Sequence, residues 1–414
     1  MAGVPLADTQ SCSDFFRRRI LLNLHYWHDN PAVQTTDVAV LDQEWTGLIR
    51  AINFAFEIEQ AWSLTRTLIA ALSPYMERRG YWETWHRILD QAVDTAGRAG
   101  DLAGAVDLSL LLARLLQRES RLKEASAYYR QTIRLARRVG DENSEARACS
   151  NLGYLYIEQG HWHRAEVLCC HALTIFERID SDHGRAHTEN HLGILYTRQR
   201  CWEPARQHLE QACAIWQSMG DDHGLMRGHI NFGMLYVDSE CPNDALFYLE
   251  KALHQANLTG EEIEIATIHL NMGIAYRLKG ESAQAEAHAW QAEAIFNRFS
   301  NLMGLANVWD NLGLACLDQE KWKEAKLYLE AALQAWRKLP NQFGEIRTLT
   351  YLVEYQLAVG NHSKAVRQLA KVKDLIRQYD PNDQDPRCQA LLEKYYHLGE
   401  EAIGEITKPL LLSD

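Results

Sequence analysis

The stretch SNLGYLYIEQGHWHRAE, residues 150–166, decides the fold because it recurs along the chain. Related elements begin forty residues apart: NLGYLY at Asn151, HLGILY at His191, NFGMLY at Asn231, NMGIAY at Asn271 and NLGLAC at Asn311. A set of alanines keeps the same period: Ala125, Ala165, Ala205, Ala245, Ala285, Ala325 and Ala365. A fixed period of this length is typical of repeat proteins, in which each repeat packs on its neighbours.

Each repeat is predicted to be a pair of helices. In the repeat that begins at Gly184, small and apolar residues at helical spacing predict a first helix over 185–199. The second helix, over 203–219, carries one apolar stripe, formed by Ala205, Leu209, Ala212 and Trp216. Gly220 then ends the helix. A single helix pair cannot bury its apolar face, whereas stacked copies can, so the sequence predicts an all-α, right-handed α-solenoid.

The small residues indicate which solenoid this is. Within one repeat, Gly153, Ala165 and Ala172 stand at fixed offsets, with Leu152 and Tyr156 beside the glycine. This pattern resembles the tetratricopeptide repeat (TPR), in which small residues let paired helices approach closely. The usual TPR period is 34 residues, so we expect longer helices here.

Counting outward gives about eight repeats, which begin near residues 64, 104, 144, 184, 224, 264, 304 and 344. We therefore expect an N-terminal helical cap over 1–60 and a TPR array over 61–380. A C-terminal capping helix and tail are expected over 381–414. The cap should contain two helices around the loop HDNPAVQTTD, residues 28–37.

The entry to the array resembles the TPR sensor arm of bacterial STAND-type signalling ATPases and related transcriptional activators. The matching positions are Glu44, Leu48, Arg50, Ala51, Arg79, Gly80, Gly100 and Asp101. Those proteins carry a nucleotide-binding module before the arm, but this sequence contains no G-x4-G-K-[ST] phosphate loop and no recognisable helix-turn-helix reader. The resemblance implies a sensor arm that works with a nucleotide-binding signalling module in cis or in trans, without ATPase or DNA-binding activity of its own.

One stripe of each first helix resembles the lining of the concave groove in TPR solenoids. In the third repeat it contains Arg147, Asn151, Tyr154 and Glu158, at i, i+4, i+7 and i+11. Across the array, the predicted ligand-binding residues are Arg147, Asn151, Tyr154, His187, His191, Arg227, Asn231, Asn271, Asn307, Asn311 and Arg347.

The asparagines are poor helix formers, so their recurrence needs a reason. An Asn amide both donates and accepts hydrogen bonds and can hold a peptide backbone without reading its sequence. We interpret the chain as a non-catalytic module that binds a protein segment or peptide. Three alternatives stay open: asparagines that pair neighbouring repeats, an anionic metabolite held by Arg147, Arg227 and Arg347, and a passive assembly scaffold.

Other candidate sites have simpler interpretations. His183, His187 and His191 stand at i, i+4 and i+8, but the sequence offers no acidic or cysteine partner at a matching spacing, so we expect neither metal nor cofactor. Four tryptophans share one repeat position and are interpreted as packing residues rather than an aromatic cage: Trp82, Trp162, Trp202 and Trp322. No catalytic constellation is visible, so we do not expect an enzyme.

Composition narrows the partners. The 414 residues carry a formal net charge of −12, which disfavours nucleic acid as a partner. No run of about 18 apolar residues is present, so no membrane partner is expected. The chain does not begin with the pattern of a secretory signal. Nine cysteines at irregular spacing, without a CxxC pair, are typical of a reduced, cytoplasmic protein.

Overall fold

The computed structural model describes residues 9–35, 38–119, 121–339, 341–380 and 385–411, and every secondary-structure element in these ranges is a helix. These residues form two compact bodies, the N-terminal body within Met1–Leu155 and the C-terminal body within Tyr156–Asp414. The α-helices are α1 (Thr9–Asp29), α2 (Pro31–Gln34), α3 (Val38–Ala55), α4 (Trp62–Arg79), α5 (Trp82–Ala99), α6 (Leu102–Arg118), α7 (Leu122–Val139), α8 (Glu142–Glu158), α9 (Trp162–Arg178), α10 (Asp182–Arg198), α11 (Trp202–Met219), α12 (Asp222–Asp238), α13 (Pro242–Thr259), α14 (Glu262–Leu278), α15 (Ser282–Arg298), α16 (Leu302–Asp318), α17 (Trp322–Lys338), α18 (Gln342–Ala358), α19 (His362–Tyr379) and α20 (Pro386–Leu411).

The N-terminal body begins with α1 to α4, which pack on one another before the first regular repeats. The stretch expected to be a loop contains the short helix α2, because the Asn30 side chain accepts a hydrogen bond from the Ala32 backbone N–H and caps it. Asp42 on α3 then joins α4 through Arg79, at 2.8 Å, and through the Tyr75 hydroxyl, at 2.7 Å. Burial and this hydrogen bond raise the pKa of Tyr75.

In the C-terminal body the helices alternate as the period predicts, with α10 packed on α11, α12 on α13, α14 on α15 and α16 on α17. Four of the first helices, α10, α12, α16 and α18, begin with a side-chain cap, whereas α14 has none. The side chains of Ser181, Asp221, Asn301 and Asn341 each accept the backbone N–H of the glycine three residues later. These caps satisfy N–H groups that a helix start leaves unpaired, so local sequence fixes where these four helices begin.

Glycines inside the first helices allow close packing within a repeat. A Cβ added at Gly193 would lie 2.6 Å from Leu209 Cδ2, and one at Gly233 would lie 2.5 Å from Leu249 Cδ2. A second set of glycines, at the start of the first helix, faces a large aromatic ring of the preceding helix, as Gly224 faces Trp216. Close approach of the helices at these positions therefore requires glycine, because any side chain would clash with the neighbouring helix.

The last helix, α20, continues the forty-residue register, since Arg387 stands where Arg347 stands in α18. It packs on α18 and α19. The Arg387 guanidinium lies 4.8 Å from the ring centroid of Trp162 and 4.4 Å from that of Phe343. Its Nη2 also contacts Asp385 Oδ2, at 2.6 Å. Trp162 thus meets a cation of the same chain, and this contact holds the end of the C-terminal body against its beginning.

None of the described helices is long and apolar enough to cross a lipid bilayer.

Candidate ligand groove

The first helices of five successive repeats, α10, α12, α14, α16 and α18, present four aligned rows of side chains, which together we call the inner stripe. The first row is His187, Arg227, Thr267, Asn307 and Arg347. The amide row is His191, Asn231, Asn271, Asn311 and Tyr351. The apolar row is Ile194, Met234, Ile274, Leu314 and Glu354, named for its first four members. The charged row is Arg198, Asp238, Leu278, Asp318 and Ala358.

Charges on distant repeats act on one another along the inner stripe. Burial raises the pKa of the Asp238 carboxyl, and Arg198, Arg200 and Arg347 oppose that shift, although Arg347 lies three repeats further along the chain. The Asp238 side chain nevertheless keeps 37% of its surface accessible. We call the space that the inner stripe faces the inner groove.

Tyr351, in the amide row of α18, is also influenced by a charge on a distant repeat. Burial raises its pKa to about 12, and among the charges that act on it is Arg277, two repeats earlier. Its ring is also 5.3 Å from the ammonium of Lys394 on α20. Lys394 in turn pairs with Glu354 at 2.6 Å. The last helix thus adds side chains to the groove wall.

A cavity of about 510 Å³ lies where α20 approaches the turns after α10 and α12. Its lining is Arg200, Glu240, Ala390, Glu393, Lys394, His397 and Leu398. Charges of both signs and two apolar side chains border this cavity.

Asn231 in the amide row pairs two repeats. Its Nδ2 donates to Asn190 Oδ1 of the preceding repeat, at 2.7 Å. Asn190 is fully buried, and its own Nδ2 has no hydrogen-bond partner among the described residues. At this position the asparagine therefore joins neighbouring repeats, which is one of the alternatives that the sequence left open.

Asn271 occupies the same row in a different environment. It is 7% exposed, and its Nδ2 has no hydrogen-bond partner among the described residues. The residue that corresponds to Asn190 is here Ile230, which carries no side-chain acceptor, and behind Asn311 it is Leu270. The bond that explains Asn231 is therefore chemically impossible for Asn271 and Asn311. Buried polar groups are nearly always paired, so the unpaired Asn271 amide needs another explanation.

Arg347 in the first row is held inside the protein. Its Nη2 donates to Asn307 Oδ1 at 2.8 Å and to Asp310 Oδ2 at 3.0 Å. Asp310 is 3% exposed and also accepts from the Thr348 hydroxyl and the Trp336 indole. This network occupies two predicted ligand-binding residues, Arg347 and Asn307, with contacts between repeats.

Three further predicted residues of the C-terminal body, His187, His191 and Arg227, lie on α10 and α12, and Asn311 is half-buried on α16. His191 is 5% exposed. His187 is half-buried, with its ring 5.3 Å from that of Trp216. Burial lowers the pKa of His187 to about 2, and Arg227 is the next largest contributor to that shift. His187 therefore remains uncharged at neutral pH.

Three predicted residues belong to the N-terminal body. Arg147, Asn151 and Tyr154 are half-buried on α8. Burial and Arg114 lower the pKa of Arg147, whereas Asp107 and other acidic groups raise it. Arg147, Asn151 and Tyr154 lie on the same stripe of α8, at the spacing that the sequence predicted.

Sequence reasoning missed four residues that shape this region: Asn190, Asp221, Asp310 and Lys394. Each contributes through a contact with another repeat, or with the last helix. The one available signal was that a polar residue stands directly before the amide row at Asn190 and Asp310, where other repeats carry Ile230 and Leu270.

Comparison with known sequences identifies the repeat. The tetratricopeptide-repeat family matches three stretches, residues 105–178, 150–218 and 304–378, of which the first two overlap. No curated protein matches this sequence significantly.

Several solved structures share the fold. A STAND protein with a tetratricopeptide-repeat sensor, from Pyrococcus horikoshii, is 13% identical with a TM-score of 0.54, and the match covers 89% of this chain and 55% of that one. A Rap protein complexed with competence and sporulation factor is 16% identical with a TM-score of 0.53, covering 89% and 99%. NprR in complex with its cognate peptide NprX is 14% identical with a TM-score of 0.52, covering 79% and 99%.

At these identities the structures establish the fold alone, and the repeat itself is identified by the matched stretches. Both agree with the forty-residue period, the helix pairs and the small residues at the helix contacts. Residues 105–218 and 304–378 thus match the tetratricopeptide-repeat family, and the described part of the chain folds as an all-α solenoid.

Proposed function

We propose that the inner groove binds an extended peptide or protein segment, and that the chain is a non-catalytic sensor of that ligand. The observation that carries this proposal is the Asn271 amide. Its Nδ2 is buried and has no hydrogen-bond acceptor among the described residues. The preceding repeat places Ile230 behind it, whereas Asn231 has Asn190 in that position. A peptide carbonyl would supply the missing acceptor once the amide turns toward the groove.

The arrangement of the rows fits an extended chain. Neighbouring packed helices are about 8–10 Å apart, and an extended peptide rises about 3.3 Å per residue. Amides on successive repeats would therefore meet about every third peptide residue. The apolar row would receive hydrophobic side chains, and the charged row would receive basic or acidic ones.

The peptide ligand is favoured over an anionic metabolite by the state of Arg347. Arg347 is already held by Asn307 and the Asp310 carboxylate. An anion would have to displace a buried carboxylate from its partner, which is strongly unfavourable. The Rap and NprR structures support a peptide as well, since their crystals contain competence and sporulation factor and the peptide NprX.

Selection followed by calorimetry would test the proposal. Peptides from a random phage-displayed library would be selected on the immobilised chain, and synthetic copies titrated into the parent protein, Asn271→Ala and Asn311→Ala. Each lost hydrogen bond of about 1–3 kcal/mol should weaken binding about fivefold to more than a hundredfold. The matched control is Gln291→Ala, which removes an exposed amide from a second helix and should leave affinity unchanged.

Equal affinity of the parent, Asn271→Ala and Asn311→Ala for the selected peptides would contradict the proposed site. Failure to enrich any peptide would contradict the proposed ligand class.

We further propose that this sensor acts with a nucleotide-binding signalling module. Similarity to the STAND sensor arm supports this role, and the chain spans 55% of that protein. Because the sequence has no phosphate loop, the isolated chain should show no saturable ATP binding. Isothermal titration calorimetry at micromolar ATP checks this expectation, and saturable binding would contradict it.

A further inference from the structure

Three metal-ligating side chains meet at the start of two neighbouring repeats. His183 and His187 stand one helical turn apart at the beginning of α10, with ring centroids 4.5 Å apart. Asp221 caps α12 in the next repeat. One ligating atom from each of the three residues lies within 4.8 Å of those of the other two.

The carboxylate is the partner that sequence spacing did not reveal. Asp221 is distant from both histidines in the chain, but packing of α12 on α10 brings the two helix starts together. The earlier expectation of no metal depended on the absence of such a partner. The stacked repeats supply it.

The three side chains offer the donor atoms that a metal ion needs. Each imidazole can supply one ring nitrogen as a ligand. Asp221 accepts the Gly224 N–H through one oxygen, at 2.8 Å. A carboxylate has about four lone-pair sites, so this cap leaves acceptor capacity for an ion.

We propose that His183, His187 and Asp221 form a binding site for a divalent transition metal, with Zn²⁺ as the expected ion. Two imidazoles and one carboxylate are a donor set that zinc, cobalt and nickel accept. Three protein ligands leave a coordination position for water or for a donor atom of another molecule. Because His187 belongs to the first row of the inner stripe, the ion would lie at the edge of the inner groove.

The surrounding charges set the expected strength. Arg227 acts on His187 electrostatically and would repel a cation, while Asp221 carries the only negative charge among the three ligands. The site should therefore bind reversibly, with an affinity that depends on every ligand. The inference concerns this cluster alone and does not depend on the peptide proposal.

The test is a Co²⁺ and Zn²⁺ titration of the full chain after treatment with a chelator. We expect one equivalent of Co²⁺ with a d–d absorption spectrum of nitrogen and oxygen ligation, displaced by Zn²⁺. Asp221→Asn should weaken binding at least tenfold, as should His183→Ala, because loss even of an outer-shell partner costs 10–100-fold.

The variants are chosen to keep the fold. Asparagine already caps the corresponding helix starts at Asn301 and Asn341, so Asp221→Asn removes the charge and retains the cap. His183 is exposed, and its replacement creates no cavity. The control His163→Ala removes an exposed histidine outside the cluster and should bind the metal like the parent.

Three results would overturn the inference. One is the absence of saturable binding by the parent. Another is parental affinity in Asp221→Asn or His183→Ala. The third is a thiolate-to-cobalt charge-transfer band, which would place the ion on an exposed cysteine such as Cys170, Cys201 or Cys241.

Discussion

Two asparagines of the amide row should respond in opposite directions to the same substitution. Asn231→Ala removes the donor to Asn190 Oδ1, in a residue that is fully buried. A buried acceptor without its partner costs about 1–3 kcal/mol. The better helix propensity of alanine returns about 0.5 kcal/mol. The free energy of unfolding should therefore fall by about 0.5–2.5 kcal/mol.

Asn271→Ala instead removes a buried amide N–H for which the described part of the chain offers no acceptor. No hydrogen bond is lost, the desolvation penalty of the amide disappears, and alanine again improves helix propensity by about 0.5 kcal/mol. A small loss of packing opposes these gains. The free energy of unfolding should stay constant or rise by up to about 2 kcal/mol.

Urea denaturation followed by far-ultraviolet circular dichroism measures both changes, with the parent and Gln291→Ala as references. The comparison requires that the slope with denaturant be unchanged, so that midpoints report stability. If Asn271→Ala is destabilised as much as Asn231→Ala, the Asn271 amide has a partner inside the fold. The reasoning that assigns it to a ligand would then be refuted.

Gly193→Ala should destabilise the protein by about 1–3 kcal/mol, because its Cβ would lie 2.6 Å from a leucine of the paired helix; Gly97→Ala, with nothing within 4 Å of its Cβ, should be neutral or stabilising in the same urea assay. Arg387→Ala should increase amide hydrogen exchange in α20. Arg387→Lys should restore the parental exchange only in part, because lysine lacks the planar guanidinium that stacks on the two rings. Parental exchange in the alanine variant would contradict a stabilising role for Arg387. Burial lowers the pKa of His229 to about 4. Below about pH 6.5 the histidine is therefore protonated in the unfolded chain but stays neutral in the folded chain, and the free energy of unfolding falls by up to about 2 kcal/mol by pH 5. His229→Gln should flatten the pH dependence of stability between pH 7 and 5, whereas His163→Gln should leave it unchanged.

The helices themselves were determined by local sequence. The expected helices over 185–199 and 203–219 are observed as Asp182–Arg198 and Trp202–Met219. Apolar periodicity, capping side chains and glycines act over a few residues, so they can be read from the chain directly. The forty-residue period then determined the solenoid, because a helix pair of this kind buries its apolar face only against another copy.

The same register that identified the helices also located the inner stripe, but it could not assign roles within it. Asn231, Asn271 and Asn311 are equivalent in the sequence pattern. Their difference depends on the residue that the preceding repeat places behind each one: Asn190, Ile230 or Leu270.

Only the tertiary structure decided these pairings. The Asp310–Arg347 contact, the approach of Asp221 to His183 and the position of Arg387 on Trp162 each join residues of different repeats. Such contacts depend on the rotation and spacing between stacked helix pairs, which are set by side-chain packing along the whole array. A repeat period records that the pairs stack, but it contains no measure of that rotation, and so the chemistry between repeats appears only once the chain is folded.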